Sequence, residues 1–497
     1  MKRVAPLFMA GLVALAACSD NPAALADAAS PSLNLEAGAD GAGMYLVRFP
    51  ETGIPADFAE QVAALGGEVI FAHAGARVGA VAGLSAQAAD QLAGTGLQLA
   101  ADANVQLDPM VGDVEAASVE GAAIAAETPY SPTNPAASFF YNRQWNMRAI
   151  QANAAWTAGK LGSSAIKVGI LDTGLDYLHP DLYGRVDLNL SRSFLSATEN
   201  ARVQASFPGA HPVADLHYHG THVGSTVSSN GLAAAGVTSR VTLVGLKVCH
   251  PGTAANGYRA GCPTSGTLSA ILYAADNGIP VINMSLGSEF QRRDASASGG
   301  SGPSFIATIN AVFNYAHDKG TTIVVSAGNS AYDMQHDKNG YKSYCDAPHV
   351  ICVSSTGPAS APAHGTYSNV DQLASYSNFG GSVTVAAPGG AGRNGTPVNV
   401  GWVYAACSGF SFPVPNCRTR FYNPVTGAWS ASVIGINGTS MASPHVAGVA
   451  ALAAERVGTT PDAIRGAVIG TSDDLGKNGR DLFYGHGRVN AARAAGL

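Results

Sequence analysis

From residue 141 onward the chain alternates short apolar runs with helical stretches, and this pattern limits its fold more than any other feature. Strand candidates are Ile166–Leu171, Val241–Val248, Ile279–Asn283, Thr322–Val325, Ile351–Ser354 and Val383–Ala386. Helix candidates are Gln151–Ala158, Thr221–Ser228, Gly266–Asp276, Ser304–Lys319, Ser443–Arg456 and Pro461–Val468. A strand with one wet face alternates apolar and polar residues. Strands apolar throughout are buried on both faces, which requires helices above and below a mostly parallel sheet. Residues 140–497 are therefore expected to form a three-layer α/β domain.

Composition agrees. The 497 residues leave room for two or three domains. Apolar residues make up 46%, enough for a large core, and charged residues only 12%, about half the usual ~25%. The net charge of −6 carries no basic stripe. That excludes nucleic acid as a partner, since phosphate neutralisation needs clustered Lys and Arg.

The N-terminus reads as an export signal. Lys2 and Arg3 precede an apolar run, Ala5 to Ala17, too short to span a bilayer. It ends in Leu15-Ala16-Ala17-Cys18, which resembles a bacterial lipobox with Cys18 as the lipidated residue; the other reading is an ordinary signal peptide. Residues 1–18 are assigned as this signal and 19–43 as a flexible tether. The protein is expected outside the cytoplasm, extracellular or in the cell envelope, touching a membrane only through that anchor. Six cysteines remain, in close pairs: Cys249 and Cys262, Cys345 and Cys352, Cys407 and Cys417. Six allow fifteen connectivities. Three local disulfides are expected in an exported chain.

Residues 44–108 read β-α-β-β-α-β, the order of a small ferredoxin-like α+β unit. Its last strand is expected over Leu97–Leu107, and Ser85 is placed as the N-cap of its second helix. Residues 109–139 lack periodicity and read as a linker.

Four segments carry chemistry. Val168 to Gly174 is an apolar strand ending in Asp172-Thr173-Gly174. Sites in open α/β sheets form at such carboxyl ends, although Asp-Thr-Gly also occurs in aspartic proteases and plain turns. His219 and His222 lie three apart at a helix start, spaced as a metal pair would be, yet no neighbouring Glu supplies a base. In Asn437-Gly438-Thr439-Ser440-Met441-Ala442-Ser443-Pro444, turn residues lead into an Ala-rich helix. Ser440 then sits at a helix N-terminus beside free backbone N–H groups, a setting that suits both a nucleophile forming an oxyanion and a plain N-cap. Pro444 is expected in the first helical turn. Finally, Val324 to Asn329 is a buried strand ending in an amide, which could donate to a developing negative charge or simply cap a turn.

Together these segments resemble the subtilisin family (subtilases) over about residues 141–497, in the family's order of Asp, His, then Ser. The resemblance implies a serine endopeptidase. It makes Asp172 the group that orients the imidazole, His219 the general base and acid, and Ser440 the acylated nucleophile. Asn329 completes the oxyanion hole with the Ser440 N–H, and His222 is structural. Ser285, Leu286 and Gly287 are implied to bind substrate backbone as an added strand. The 44–108 unit is similar to the family's inhibitory propeptide, which implies self-cleavage in or near 108–139. The expected partners are protein or peptide substrates and the chain's own propeptide, with the enzyme a monomer.

Asp181 matches a calcium ligand of the family. Ca²⁺ needs six to eight oxygens, and the stretch Ser228 to Gly236 supplies almost no oxygen side chains. No cofactor is expected to be needed for the chemistry. Val223 separates the chain from the thiol-dependent subtype, which has Cys after the His motif. Two other readings keep the fold: a binding lipoprotein without activity, and a processing protease with one or few substrates.

Overall fold

The structure, a computed structural model, describes residues 43–107, 113–120, 134–292, 302–336, 339–391, 401–418, 422–423 and 428–497. The signal, Cys18 and nearly all of the tether lie outside these residues.

The first unit contains β1 (Gly43–Arg48), α1 (Phe58–Ala64), β2 (Glu68–His73), β3 (Val78–Leu84), α2 (Ala86–Ala93) and β4 (Gln98–Ala101). The strands form an antiparallel sheet in the order β2-β3-β1-β4. Ser85 Oγ accepts the Ala88 N–H at 3.1 Å, capping α2. Val47, Phe49, Phe58, Val62, Val81, Leu84 and Leu92 build a small core under one face.

The strand expected over Leu97–Leu107 is two strands. β4 belongs to the small sheet, whereas β5 (Asn104–Leu107) leaves it to pair antiparallel with β10 (Ala260–Pro263) of the large domain. Part of the expected linker is also structured. β6 (Asp113–Glu120) pairs antiparallel with β22 (Ala428–Ile436) over eight residues of each strand. Backbone pairing by a distant strand overrides the local lack of periodicity there.

The large domain begins with α3 (Trp145–Ala149) and α4 (Ala152–Thr157). Its sheet holds β7 (Lys167–Asp172), β8 (Arg192–Ser193), β9 (Thr242–Lys247), β11 (Val281–Met284), β13 (Thr322–Ser326) and β15 (Ile351–Gly357), in the order β8-β9-β7-β11-β13-β15. All these pairs are parallel. Beyond β15 lie β18 (Gln372–Leu373), antiparallel, and β19 (Val385–Pro388), parallel. The shorter strands are peripheral: β12 (Ser288–Gln291) with β14 (Gly340–Ser343), β16 (Ser360–Ala363) with β17 (Thr366–Ser368), and β20 (Val403–Ala406) and β21 (Tyr422–Asn423) with β22.

Alternate side chains divide the core between the two faces. Val168, Ile170, Val281 and Val324 pack with α6 (His219–Val227) and α9 (Thr439–Val457). Leu171, Ile282, Met284 and Val325 pack with α7 (Thr264–Asp276) and α8 (Gly302–Asp318). Helices α5 (Ala197–Ser206), α10 (Pro461–Gly470) and α11 (Ala491–Ala494) complete the set. This is the expected three-layer, mostly parallel α/β fold. Three disulfides join Cys249 to Cys262, Cys345 to Cys352 and Cys407 to Cys417. No helix among the described residues is long and apolar enough to cross a membrane.

Candidate active site

The order β7-β11-β13 brings three strand ends side by side, and each carries a residue singled out in the sequence. Asp172 ends β7, Ser285 follows β11, and Asn329 stands three residues past β13. His219 is the first residue of α6.

Asp172 is fully buried. Its Oδ1 lies 2.8 Å and its Oδ2 3.0 Å from His219 Nδ1, and Oδ1 also accepts the Thr173 N–H at 2.7 Å. Burial alone would push the His219 pKa down. The charge and hydrogen bond of Asp172, with the charge of Asp215, outweigh it and hold the pKa above the usual histidine value. With Nδ1–H donated to the carboxylate, Nε2 of the neutral ring carries the lone pair.

Asp215 was not found by sequence reasoning. It is completely buried, and burial raises its pKa against the hydrogen bonds it accepts. Oδ1 accepts from Thr173 Oγ1 at 2.8 Å and from the His217 and Tyr218 N–H groups, and Oδ2 from the N–H and Oγ1 of Thr221. One carboxylate thus ties the turn after Asp172 to the first turn of α6, which carries His219. The only sequence signal is a lone Asp four residues before His219.

Ser440 is the second residue of α9, and 6% of it is exposed. The expected helix from Ser443 starts four residues earlier. Pro444 consequently lies beyond the first turn, contrary to expectation. Proline has no N–H for the carbonyl four residues back, which here is that of Ser440. The Ser285 hydroxyl takes the vacancy, donating to Ser440 O at 2.8 Å. Ser440 Oγ in turn donates to the Ser285 carbonyl at 3.2 Å, so it is not turned toward His219 in this state.

Asn329 Oδ1 accepts both the N–H and the Oγ1 of Thr439 at 2.8 Å. Because a backbone N–H can only donate, this fixes the orientation of the amide and leaves Nδ2 as its open end. The exposed Asn329 therefore presents a donor beside the amino end of α9. Of the expected substrate strand, Ser285–Gly287 belong to no strand, and their segment runs on directly into β12. Ser285 is fully buried and its side chain is spent on α9, while Leu286 is 1% exposed. The side chains of Ser285 and Leu286 are thus closed to solvent.

Two further histidines, His222 and His445, are held by structural hydrogen bonds. His222 Nε2 donates to Val403 O at 3.0 Å, and burial drives its pKa down to about 3. His445 donates from Nδ1 to Met441 O and accepts from Asn146 Nδ2, with a pKa near 4 for the same reason. Both are neutral structural groups. Among the described residues no cluster of three His, Cys, Asp or Glu side chains could hold a metal ion.

The family model for the subtilase family, peptidase S8, matches residues 163–487, about two thirds of the chain. The chain is a subtilase. It is 29% identical to thermitase of Thermoactinomyces vulgaris over 369 residues, 73% of this chain and 99% of that one. It is 30% identical to a thermophilic serine proteinase of Bacillus sp. (strain AK1), over 72% of this chain and 69% of the other. In fold it is similar to the epidermin leader peptide processing serine protease of Staphylococcus aureus, with a TM-score of 0.65 at 22% identity, covering 92% of this chain and 98% of that one. It is likewise similar to fervidolysin of Fervidobacterium pennivorans, with a TM-score of 0.62 at 21% identity, over 91% and 61%. The subtilase is accordingly a serine protease of the subtilisin type, acting on peptide bonds.

Asp181 of this subtilase does not fit a calcium ligand. Its buried carboxylate accepts the N–H groups of Leu232 and Ala233 on Oδ1 and of Ala234 on Oδ2, at 2.7 to 3.0 Å. The positive ends of three N–H dipoles occupy the oxygens a cation would need.

Proposed function

We propose that this subtilase is an exported serine endopeptidase, made as a self-processing zymogen, with Asp172, His219 and Ser440 as its triad. The observation that carries this reading is the buried His219–Asp172 pair beside the helix end that bears Ser440. For attack, Ser440 Oγ rotates from the Ser285 carbonyl to His219 Nε2 and gives up its proton there as it adds to the scissile carbonyl. The oxyanion forms against the Ser440 N–H and Asn329 Nδ2. His219 then passes its proton to the leaving amine. Water repeats the sequence on the acyl-enzyme and frees Ser440.

In this reading residues 44–108 are the inhibitory propeptide. Support comes from their contacts with the large domain. β5 lies along β10. The Ala103 carbonyl accepts both the N–H and the Oγ1 of Thr264 at 2.8 Å. Asp102 caps the start of α7, accepting the Ser265 N–H at 3.0 Å and the Ser265 hydroxyl. At the other end of α7, His73 Nε2 lies 3.0 Å from Asp276 Oδ2. Cleavage in or near 108–139 would release the unit; 108–112 and 121–133 lie outside the described residues. Replacing Asp102 with alanine leaves the Ser265 groups without their acceptor, and hydrogen bonds to a charged group are worth roughly 1.5–3 kcal/mol. The separately added propeptide is then expected to inhibit mature enzyme about tenfold more weakly or worse, measured as Ki against a peptide substrate.

The zymogen reading has its own test. Full-length chain expressed into an oxidising compartment should shorten to a form starting in or near 108–139, by N-terminal sequencing, and then hydrolyse casein. Active enzyme with residues 44–140 intact would refute it. Export and lipidation at Cys18 belong to the same proposal, with the three disulfides as support.

We also infer that no calcium binds at Asp181. EDTA is expected to leave the thermal midpoint unchanged within about 1 °C. Asp181→Ala, which strands three buried donors at a cost of roughly 3 kcal/mol, is expected to lower it by several degrees. A large drop with EDTA would reverse the inference.

A further inference from the structure

The two segments that flank Ser440 are joined underneath by a buried pair of opposite charges. Glu289 and Lys342 are cross-strand neighbours in β12 and β14, with Lys342 Nζ 3.2 Å from Glu289 Oε1. Glu289 follows Ser285 by four residues, and the Ser285 carbonyl receives Ser440 Oγ. Lys342 lies against the other segment. A Cβ on Gly328 would stand 2.6 Å from Lys342 Nζ, and the Gly328 N–H donates to Thr439 Oγ1 at 3.0 Å. Gly328 also has a φ of +101°, so both its backbone and its neighbours require glycine.

A peptide carbonyl within reach of Ser440 Oγ, with its oxygen on Asn329 Nδ2, meets both segments, because Ser440 Oγ rests on the Ser285 carbonyl and Asn329 follows Gly328. We infer that the Glu289–Lys342 pair forms the floor of the pocket for the residue on the amino side of the scissile bond, and that the pocket selects lysine or arginine there. The inference rests on the protease reading above.

The polarity follows from how the pair is held. Asn378 Oδ1 accepts the N–H groups of Ser330 and Tyr332, which turns Nδ2 toward Glu289 Oε1 at 3.0 Å and Ala327 O at 2.8 Å. Glu289 Oε1 thus takes both bonds, and Oε2 has no partner among the described residues. The lysine side chain is 5% exposed and the glutamate 13%, so the carboxylate is the more open of the two. An incoming ammonium or guanidinium meets an unpaired carboxylate oxygen. A large apolar side chain would strip water from the pair and give it no new partner. An acidic one would meet Glu289 first.

The test uses mature enzyme and fluorogenic peptides that differ only at that position, carrying Lys, Arg, Phe, Leu or Glu. Active sites are counted in each preparation by a fluorophosphonate label on Ser440. The expected kcat/KM for Lys and Arg exceeds that for Phe and Leu by about tenfold or more. Glu289→Gln keeps an acceptor for Lys342, and it should cut the Lys-to-Leu ratio about tenfold. Lys342→Met should raise that ratio. Ratios do not depend on how much of each variant folds. Labelled enzyme that prefers Phe, Leu or Glu, or a ratio unmoved in Glu289→Gln, overturns the pocket assignment and leaves the protease reading intact. Folded enzyme that neither labels nor cleaves any peptide overturns both.

Discussion

Ser440→Ala is expected to lower kcat by about 10⁶-fold, the known cost of losing the nucleophile in subtilisin itself. Without the hydroxyl no acyl-enzyme forms, and His219 has no proton to move. The oxyanion donors and the substrate backbone contacts remain, so the residual rate should still exceed that in water. Stability should hardly change. Ser440 Oγ makes one long bond, 3.2 Å to Ser285 O, while the tie that replaces the bond missing at Pro444 uses the Ser440 carbonyl and survives the substitution. The full-length variant should thus stay uncleaved in the cell, and once trimmed to the same mature boundaries it should melt within about 2 °C of the mature parent. Peptide hydrolysis, gel mobility and calorimetry on the same preparation check this. A stable variant that still matures in pure form would exclude Ser440 as the nucleophile.

Asp172→Asn is expected to cost about 10⁴-fold in kcat, the size seen when the same change is made in another Ser-His-Asp triad. The cause is the proton position on His219. The Thr173 N–H, 2.7 Å from Oδ1, holds an oxygen at that place in the variant. The new NH₂ then falls where Oδ2 stood, 3.0 Å from Nδ1, donor facing donor. The tautomer protonated on Nε2 gains an N–H donor at Nδ1, whereas the other keeps its bond to the remaining oxygen at 2.8 Å against a facing NH₂; the balance moves toward Nε2–H, which takes away the base. The pH profile gives a second readout. In the parent, kcat/KM should fall as pH drops through a His219 pKa held above the ordinary ~6.5. In the variant the larger raising charge is gone and only that of Asp215 remains, so burial weighs more and the acid limb should move to lower pH. An unmoved limb would mean that Asp172 does not set the imidazole's charge.

The layers of the fold were legible because buried parallel strands write themselves as continuous apolar runs. Lys167–Asp172, Thr322–Ser326 and Ile351–Gly357 fall within a few residues of where those runs place them. What was missed depends on distant partners. β6 has no local pattern, and nothing local marks the break that sends β5 out of the small sheet, because the order of both comes from β22 and β10, more than 150 residues away. The helix bearing Ser440 starts early because Ser285 repairs the bond that Pro444 removes, and no local rule contains that residue. Four of the five donors to Asp215 are local, from residues 217 to 221, but the tie that matters to the site is Thr173, 42 residues away, and only the fold brings it there. The Glu289–Lys342 pair likewise depends on the register of two short strands.

The central claim is that Ser440 is a nucleophile activated by His219. The most direct measurement treats mature enzyme with a fluorophosphonate, maps the adduct by peptide mass spectrometry, and repeats the labelling rate in His219→Ala. The account predicts one adduct, on Ser440, and labelling slowed at least a thousandfold without the imidazole. An adduct on another serine, or equal labelling rates in the two proteins, would contradict it.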